Sequence, residues 1–346
     1  MKKYLFVLSV AALGFASCSN DSVIAENNTT GQQPREIAFS PLSTPQTRVA
    51  ADTYQYAIDG ETFPTDLNMY VAAYQVEPTG SNYFSGTQFV YDYAGGTGAS
   101  SGKWGGATAK YWPLSACYIN FLAYANVTGS AAFDGTTPAS VATITQTDNS
   151  SAQTDLMYAI GNGAVTQSVN TLTFPDKVDM AFKHAQGWMD FYVKAYSTTE
   201  TAISVNSITL KGAKYSGTYT ITHSNYNAKT SQSVSGAWSD LGSAKNVAVP
   251  GWSTTTLTTS LVHVGKGLLV VPDDNASTND WTSFVINYSY DGKTYEYEYT
   301  ADAGPAANVD QAKHYVFNIT FKLHEIFVQA TVTDWTEADA TNITVE

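Results

Sequence analysis

Glu296 and Glu298 stand two residues apart in Tyr295-Glu296-Tyr297-Glu298-Tyr299. That spacing puts both carboxylates on one face of a strand, where a pair could act as acid and base in glycoside hydrolysis. The alternation reads better as the solvated face of an edge strand, kept soluble by its charge. Other reactive patterns are thinner. The five histidines, at 184, 223, 263, 314 and 324, show neither a His-Glu-x-x-His motif nor a paired metal-ligand spacing. No Gly-x-Ser-x-Gly elbow occurs, because Gly251-Trp252-Ser253 lacks the closing glycine. Gly98 to Lys103 fails as a phosphate loop, since Thr97 replaces the first glycine and Trp104 follows the lysine. Asp273-Asp274-Asn275 is an acidic turn without calcium-loop spacing. The expectation is no enzyme, with no catalytic, cofactor or metal site.

Cysteine chemistry is more informative. The chain has two cysteines, Cys18 and Cys117. Lys2 and Lys3, an apolar run from Tyr4 to Phe15, and Phe15-Ala16-Ser17 before Cys18 make a bacterial lipoprotein signal. The run is too short to span a bilayer, and small residues precede the cysteine as cleavage requires. Residues 1–17 are then removed, and Cys18 becomes a lipidated N-terminus held in outer-membrane lipid. Residues 18–35 follow as a Ser-, Asn-, Thr- and Gly-rich tether. Cys117 is left alone in the apolar run Cys117-Tyr118-Ile119-Asn120-Phe121-Leu122, where it reads as a small buried hydrophobe.

A chain of 346 residues is long enough for two domains. Loss of Lys2 and Lys3 with the signal leaves 15 basic against 30 acidic residues, a net charge of −15, which disfavours a nucleic-acid partner. Charged residues make up only 14% of the chain while Thr, Ser, Gly and Tyr abound, the balance of an extracellular β protein.

The elements that must position any site are therefore strands. Tyr315, Phe317, Ile319, Phe321 and Leu323 alternate with polar residues and predict one buried face. Residues 284–290 and 293–300 flank Asp291-Gly292, the pair that a type I′ hairpin turn demands. Met189, Phe191, Val193 and Ala195 alternate as well, and the parity change between Val205 and Ile208 predicts a bulge. Phe174-Pro175-Asp176 is the expected domain boundary, giving an N-terminal domain over 36–174 and a C-terminal one over 175–346.

Five features occur in series: the lipoprotein signal; Lys110-Tyr111-Trp112-Pro113 leading to Phe121-Leu122-Ala123-Tyr124; Asp155-Leu156-Met157-Tyr158-Ala159; Ala181-Phe182-Lys183-His184-Ala185; and Phe327 to Trp335. In this order they resemble the fimbrillin family, the type V pilus subunits of Bacteroidales bacteria. The resemblance implies an all-β chain of two transthyretin-like β-sandwich domains with Greek-key-type antiparallel sheets. It also implies export as a lipoprotein to the outer membrane and cell surface, and assembly into a fimbrium with other pilin subunits. In such pilins a processing protease specific for arginine removes an N-terminal strand, and another subunit's C-terminal strand fills the groove.

On that resemblance Arg48 is the cleavage site, with the bond to Val49 broken and residues 36–48 removed. Arg35, the one other arginine, is its rival. The residues agree with the mechanism. Ile37, Ala38 and Phe39 form a short apolar strand ahead of a loop punctuated by Pro41 and Pro45, where proteolysis concentrates. Ile326, Val328, Ala330 and Val332 share one face ahead of Trp335, so residues 326–346 are a candidate donor segment. The same alternation also fits the last strand of its own domain, and the two states can hold at different stages. His184 reads as a hydrogen-bonded structural histidine. The alternative function is a monomeric surface lipoprotein that binds glycans with its Tyr and Trp residues.

Overall fold

The structure is a computed structural model that describes residues 33–42, 69–91, 104–106, 108–273, 280–300, 308–322 and 325–334. Its elements are almost all strands. The first run comprises β1 (Phe39–Leu42), β2 (Met69–Glu77), β3 (Ser81–Tyr91), β4 (Trp104–Gly106), β5 (Cys117–Ala125), β6 (Gly129–Phe133) and β7 (Val141–Gln146). The chain continues through β8 (Met157–Ser168), β9 (Thr171–Thr173), β10 (Val178–Ala181), β11 (Lys183–His184), β12 (Gly187–Ala195), β13 (Ser204–Ala213), β14 (Gly217–Ser224) and β15 (Ser233–Ser239). It closes with β16 (Lys245–Ala248), β17 (Thr255–Thr256), β18 (Val262–Val270), β19 (Ser283–Tyr290), β20 (Lys293–Thr300), β21 (Lys313–Lys322) and β22 (Glu325–Asp334).

Four sheets result. A nine-stranded sheet runs β10-β1-β4-β3-β2-β5-β8-β11, with β9 hung on β8. Inside it lies β5, which is apolar but for Asn120 because both of its faces are buried. Ile119, Phe121 and Ala123 point into one core with Phe39, Phe89, Trp112 and Met180. Leu122 and Tyr124 point the other way, into a core shared with Ile144, Tyr158, Tyr219 and Trp238. The sheet curls so far that β10 lies over β8. A Cβ on Gly161 would collide with Met180 Sδ and the Asp179 carbonyl, so only glycine permits that approach.

The C-terminal sandwich packs the sheet β18-β12-β21-β22 on the sheet β16-β13-β19-β20. Met189, Phe191 and Val193 on β12 meet Tyr315, Phe317 and Ile319 on β21 and Phe284 and Ile286 on β19 in a third core. The expected alternation, hairpin and bulge are all present. Asp291 and Gly292 take φ of 50° and 70°, the left-handed values of a type I′ turn. The register of β13 on β19 slips between Val205 and Ser207.

The hydrogen-bonded sheets do not divide at Phe174. β10, beyond that point, pairs with β1, and β14, further on, pairs with β7 from before it. The remaining four-stranded sheet, β15-β14-β7-β6, is thus built from both halves of the chain. The physical reason is β5 and β8: with apolar side chains on both faces, they need a covering layer on each side, and β14–β15 supplies the second one. Cys117 is buried in the N-terminal core, where desolvation pushes its thiol pKa up.

Phe317 stacks on Phe191 at 5.3 Å and meets Phe284 edge-on at 5.4 Å. Phe317→Ala is expected to cost about 3–5 kcal/mol of unfolding free energy, read from the denaturant midpoint.

Candidate functional site

The N-terminal strand is built into the molecule from both sides. Ile37 N–H donates to the Lys110 carbonyl at 2.7 Å, and Trp112 N–H donates to the Arg35 carbonyl at 2.8 Å. Val178 N–H donates to the Ala38 carbonyl at 2.8 Å, and β1 then runs parallel to β10 from Phe39 opposite Val178 to Leu42 opposite Ala181. Phe39 also stands opposite Trp104 of β4. Ile37 and Phe39 are fully buried. The Phe39 ring meets Phe89 at 4.7 Å and Phe121 at 5.1 Å, both edge-on. At the surface Arg35 pairs with Asp176, and Lys177 Nζ donates to Ser40 Oγ at 3.0 Å. Exposed pairs of this kind add about 0–1 kcal/mol. The strand is therefore held by its backbone ladder and two apolar side chains.

Removing such a strand has a definite consequence. Among the described residues, β10 has no other strand partner. Withdrawal of residues 36–42 would leave unpaired N–H and C=O groups on β4 and β10 and a slot lined by Phe89, Phe121, Val178 and Met180. An extended peptide with two inward apolar side chains would fill it.

The candidate donor residues lie elsewhere. Ile326, Val328, Ala330 and Val332 are on β22, which pairs with β21 through its whole length, from Glu325 opposite Lys322 to Asp334 opposite Lys313. They face the C-terminal core but are only partly buried, because β22 is the edge of its sheet. On the outer face Phe327 is 51% exposed, with Lys322 Nζ 5.9 Å from its ring centre. β1 and β22 thus belong to different sheets and do not pair within one molecule. Cys18, Arg48, Val49 and Trp335 lie outside the described residues. Glu298 binds Lys211 Nζ at 3.2 Å and Ser283 Oγ at 2.6 Å. These hydrogen bonds hold its carboxyl below the usual range, as suits a charged surface group.

Two polar clusters lie away from the strand, one within the nine-stranded sheet and one in the C-terminal sandwich. His184 Nδ1 lies 2.7 Å from Asp155 Oδ2, both residues almost wholly buried where β8 begins and β11 ends. The two segments singled out in the sequence, Asp155 to Ala159 and Ala181 to Ala185, thus meet in one contact. Beside it the Trp238 indole N–H donates to the Ala185 carbonyl at 2.6 Å, tying β15 to the same point. The other cluster was not legible in the sequence, because its members lie up to 124 residues apart: Asp190 sits between His263 Nε2 at 3.1 Å and His314 Nε2 at 2.9 Å. Burial pushes the Asp190 carboxyl up, but the bonds to the two imidazoles outweigh it and leave the pKa lowered. Among the described residues no group of three or more His, Cys, Asp or Glu could hold a metal ion.

A fimbrillin-like family model matches residues 46–335, most of this architecture. The chain belongs to the fimbrillin-like family. One solved structure shares the fold at low identity, and others are similar over most of their length. A proposed cell adhesion protein of Bacteroides ovatus is 13% identical over 89% of this chain and 100% of its own, with a TM-score of 0.50. One from Bacteroides uniformis is 15% identical over 87% of this chain and 98% of its own, at 0.46. The fimbrial anchor protein Mfa2 of Porphyromonas gingivalis is 12% identical over 88% of this chain and 98% of its own, at 0.34. No curated protein matches the chain. In this fimbrillin-like chain β1 precedes the segment that the family model covers.

Removing one partner of a buried hydrogen bond leaves the other unsatisfied. Asp155→Ala is expected to lower stability by about 1–3 kcal/mol, measured by denaturant unfolding. Asp190 sets an acid limb. With its folded pKa lowered, its stabilisation is complete above the ordinary Asp range and fades as pH falls through the folded value. Asp190→Asn should flatten that part of a stability profile taken between about pH 6 and pH 2.

Proposed function

We propose that the chain is a structural subunit of a cell-surface pilus that supports adhesion, exported as a lipoprotein through Cys18 and polymerised by strand exchange after cleavage between Arg48 and Val49. Family membership supports a fimbrial subunit. The observation that carries the exchange step is the setting of residues 36–42. They complete a sheet from within, bury Ile37 and Phe39, and lead on to the Pro45-Gln46-Thr47-Arg48-Val49 stretch. A strand with this topology can be replaced by another peptide without refolding the frame, because the nine-stranded sheet keeps its order from β4 to β11.

In this reading the partners are other pilin subunits and a processing protease. Ile326, Val328, Ala330 and Val332 already fill their own sheet, so donation requires β22 to detach from β21 or falls to the chain from Trp335 onward. Receptor binding would lie on surfaces left exposed in the polymer.

Brief trypsin treatment of the folded chain is expected to yield a product beginning at Val49 and a ladder of sizes on a gel, whereas Arg48→Ala should give neither. A product that stays monomeric, with sugar-dependent thermal shifts, would instead favour the glycan-binding alternative.

A further inference from the structure

Glu36 opens the segment that the proposed exchange removes, and it is placed at odds with its surroundings. Its residue is 4% exposed, and among the described residues no side chain hydrogen-bonds to either carboxylate oxygen. The next residue, Ile37, is fully buried, and the backbone at Glu36 bridges to Tyr111. Among the described residues, the charged groups on the flanking segments are engaged elsewhere. Arg35 pairs with Asp176, Lys177 Nζ donates to Ser40 Oγ at 3.0 Å, and Lys110 Nζ lies 5.9 Å from the Phe84 ring centre. Tyr111 offers its carbonyl to the Tyr83 hydroxyl at 2.5 Å, Asp179 is exposed on β10, and β4, Trp-Gly-Gly, carries no titratable side chain.

A buried carboxylate with no cation beside it opposes the docking of its own strand, since removing it from water is costly and the backbone of Gly106 offsets only part of that cost. A second feature acts in the same direction: β1 joins β10 in parallel, the slightly weaker pairing per residue. We propose that Glu36 is a release element, a buried unpaired carboxylate that keeps the N-terminal strand replaceable, so that an incoming strand with an uncharged residue at this position docks more tightly than the strand it displaces. This rests on the strand-exchange reading and specifies what drives it. The incoming segment would supply apolar side chains in the places of Ile37 and Phe39 and no charge in the place of Glu36.

The device is pH-dependent with a defined sign. Desolvation raises the Glu36 pKa, partly offset by the backbone of Gly106, so docking takes up a proton. The docked strand is most stable below the ordinary glutamate range and is loosened as pH rises through the folded value.

The test is hydrogen exchange of residues 37–42 in the full uncut chain, corrected for intrinsic rates, at about pH 4 and pH 7. Wild type should open about tenfold more at the higher pH, the ratio that ~1.4 kcal/mol represents. Glu36→Gln, which keeps size and shape, should open less than wild type at pH 7 and show no such pH dependence. Equal opening of Glu36→Gln and wild type at pH 7 would overturn the proposal. Polymerisation after trypsin separates this from the parent reading. Slower ladder growth in Glu36→Gln supports both, and unaltered growth sinks the release role alone. If neither protein forms ladders while Glu36→Gln still closes the strand, pilus assembly fails and the strained docking stands.

Discussion

The requirement that buried backbone groups be paired governs the N-terminal half of this molecule. β10 has β1 as its strand partner, and β1 stands between β10 and β4, so four residues link the end of a nine-stranded sheet to its body. The same residues close the core, because the Phe39 ring sits edge-on against both Phe89 and Phe121. A segment that supplies both backbone pairing and core volume, yet is continuous with the rest only through its C-terminal end, is the natural unit of replacement. Strand exchange on this frame needs no new architecture: a second peptide with the same spacing of inward apolar residues meets the same two demands.

Such replacement demands that everything else stay in place. The buried contact between Asp155 and His184 ties β11 to the start of β8, while the hydrogen bond from Trp238 to the Ala185 carbonyl and the bonds from Asn120 Nδ2 to the carbonyls of Tyr226 and Ala228 at 2.6 and 2.7 Å hold the nine-stranded sheet against β14–β15. None of these groups lies in β1. Stability is therefore unevenly distributed, with polar locks at the junction of the sheets and a mainly apolar, partly parallel attachment at the N-terminal strand. Glu36 belongs to this second, weaker zone, the one that the proposed release of the strand would use.

The ends of the chain are treated differently. β22 is paired through its full length and half-buried, while Phe327 on its outer face is exposed. An edge strand of this kind is a surface on which further chains can align. In a polymer built by exchange, both the slot under β1 and the edge at β22 would belong to contacts between subunits.

The C-terminal sandwich was largely legible in the residues, for a simple reason. Its strands have one wet face and one dry one, so Tyr315 to Phe321 and Met189 to Ala195 alternate, and Asp291-Gly292 takes the left-handed turn that its composition demands. The short N-terminal strand was readable only in part: the apolar triplet Ile37-Ala38-Phe39 marks the buried side chains, but the strand itself runs Phe39–Leu42, through Pro41, because pairing with β10 and not side-chain polarity sets its length. What the sequence could not carry was partnership across distance. The meeting of Asp155 with His184, the enclosure of Asp190 by His263 and His314, the crossing of β7 onto β14 past Phe174, and the lack, among the described residues, of a cation beside Glu36 all arise from chain segments brought together only by packing. Local sequence fixes which face of a strand is apolar, because that depends on side-chain alternation alone. Tertiary structure decides which polar groups are compensated, because a carboxylate's free energy depends on neighbours that the chain supplies from far away.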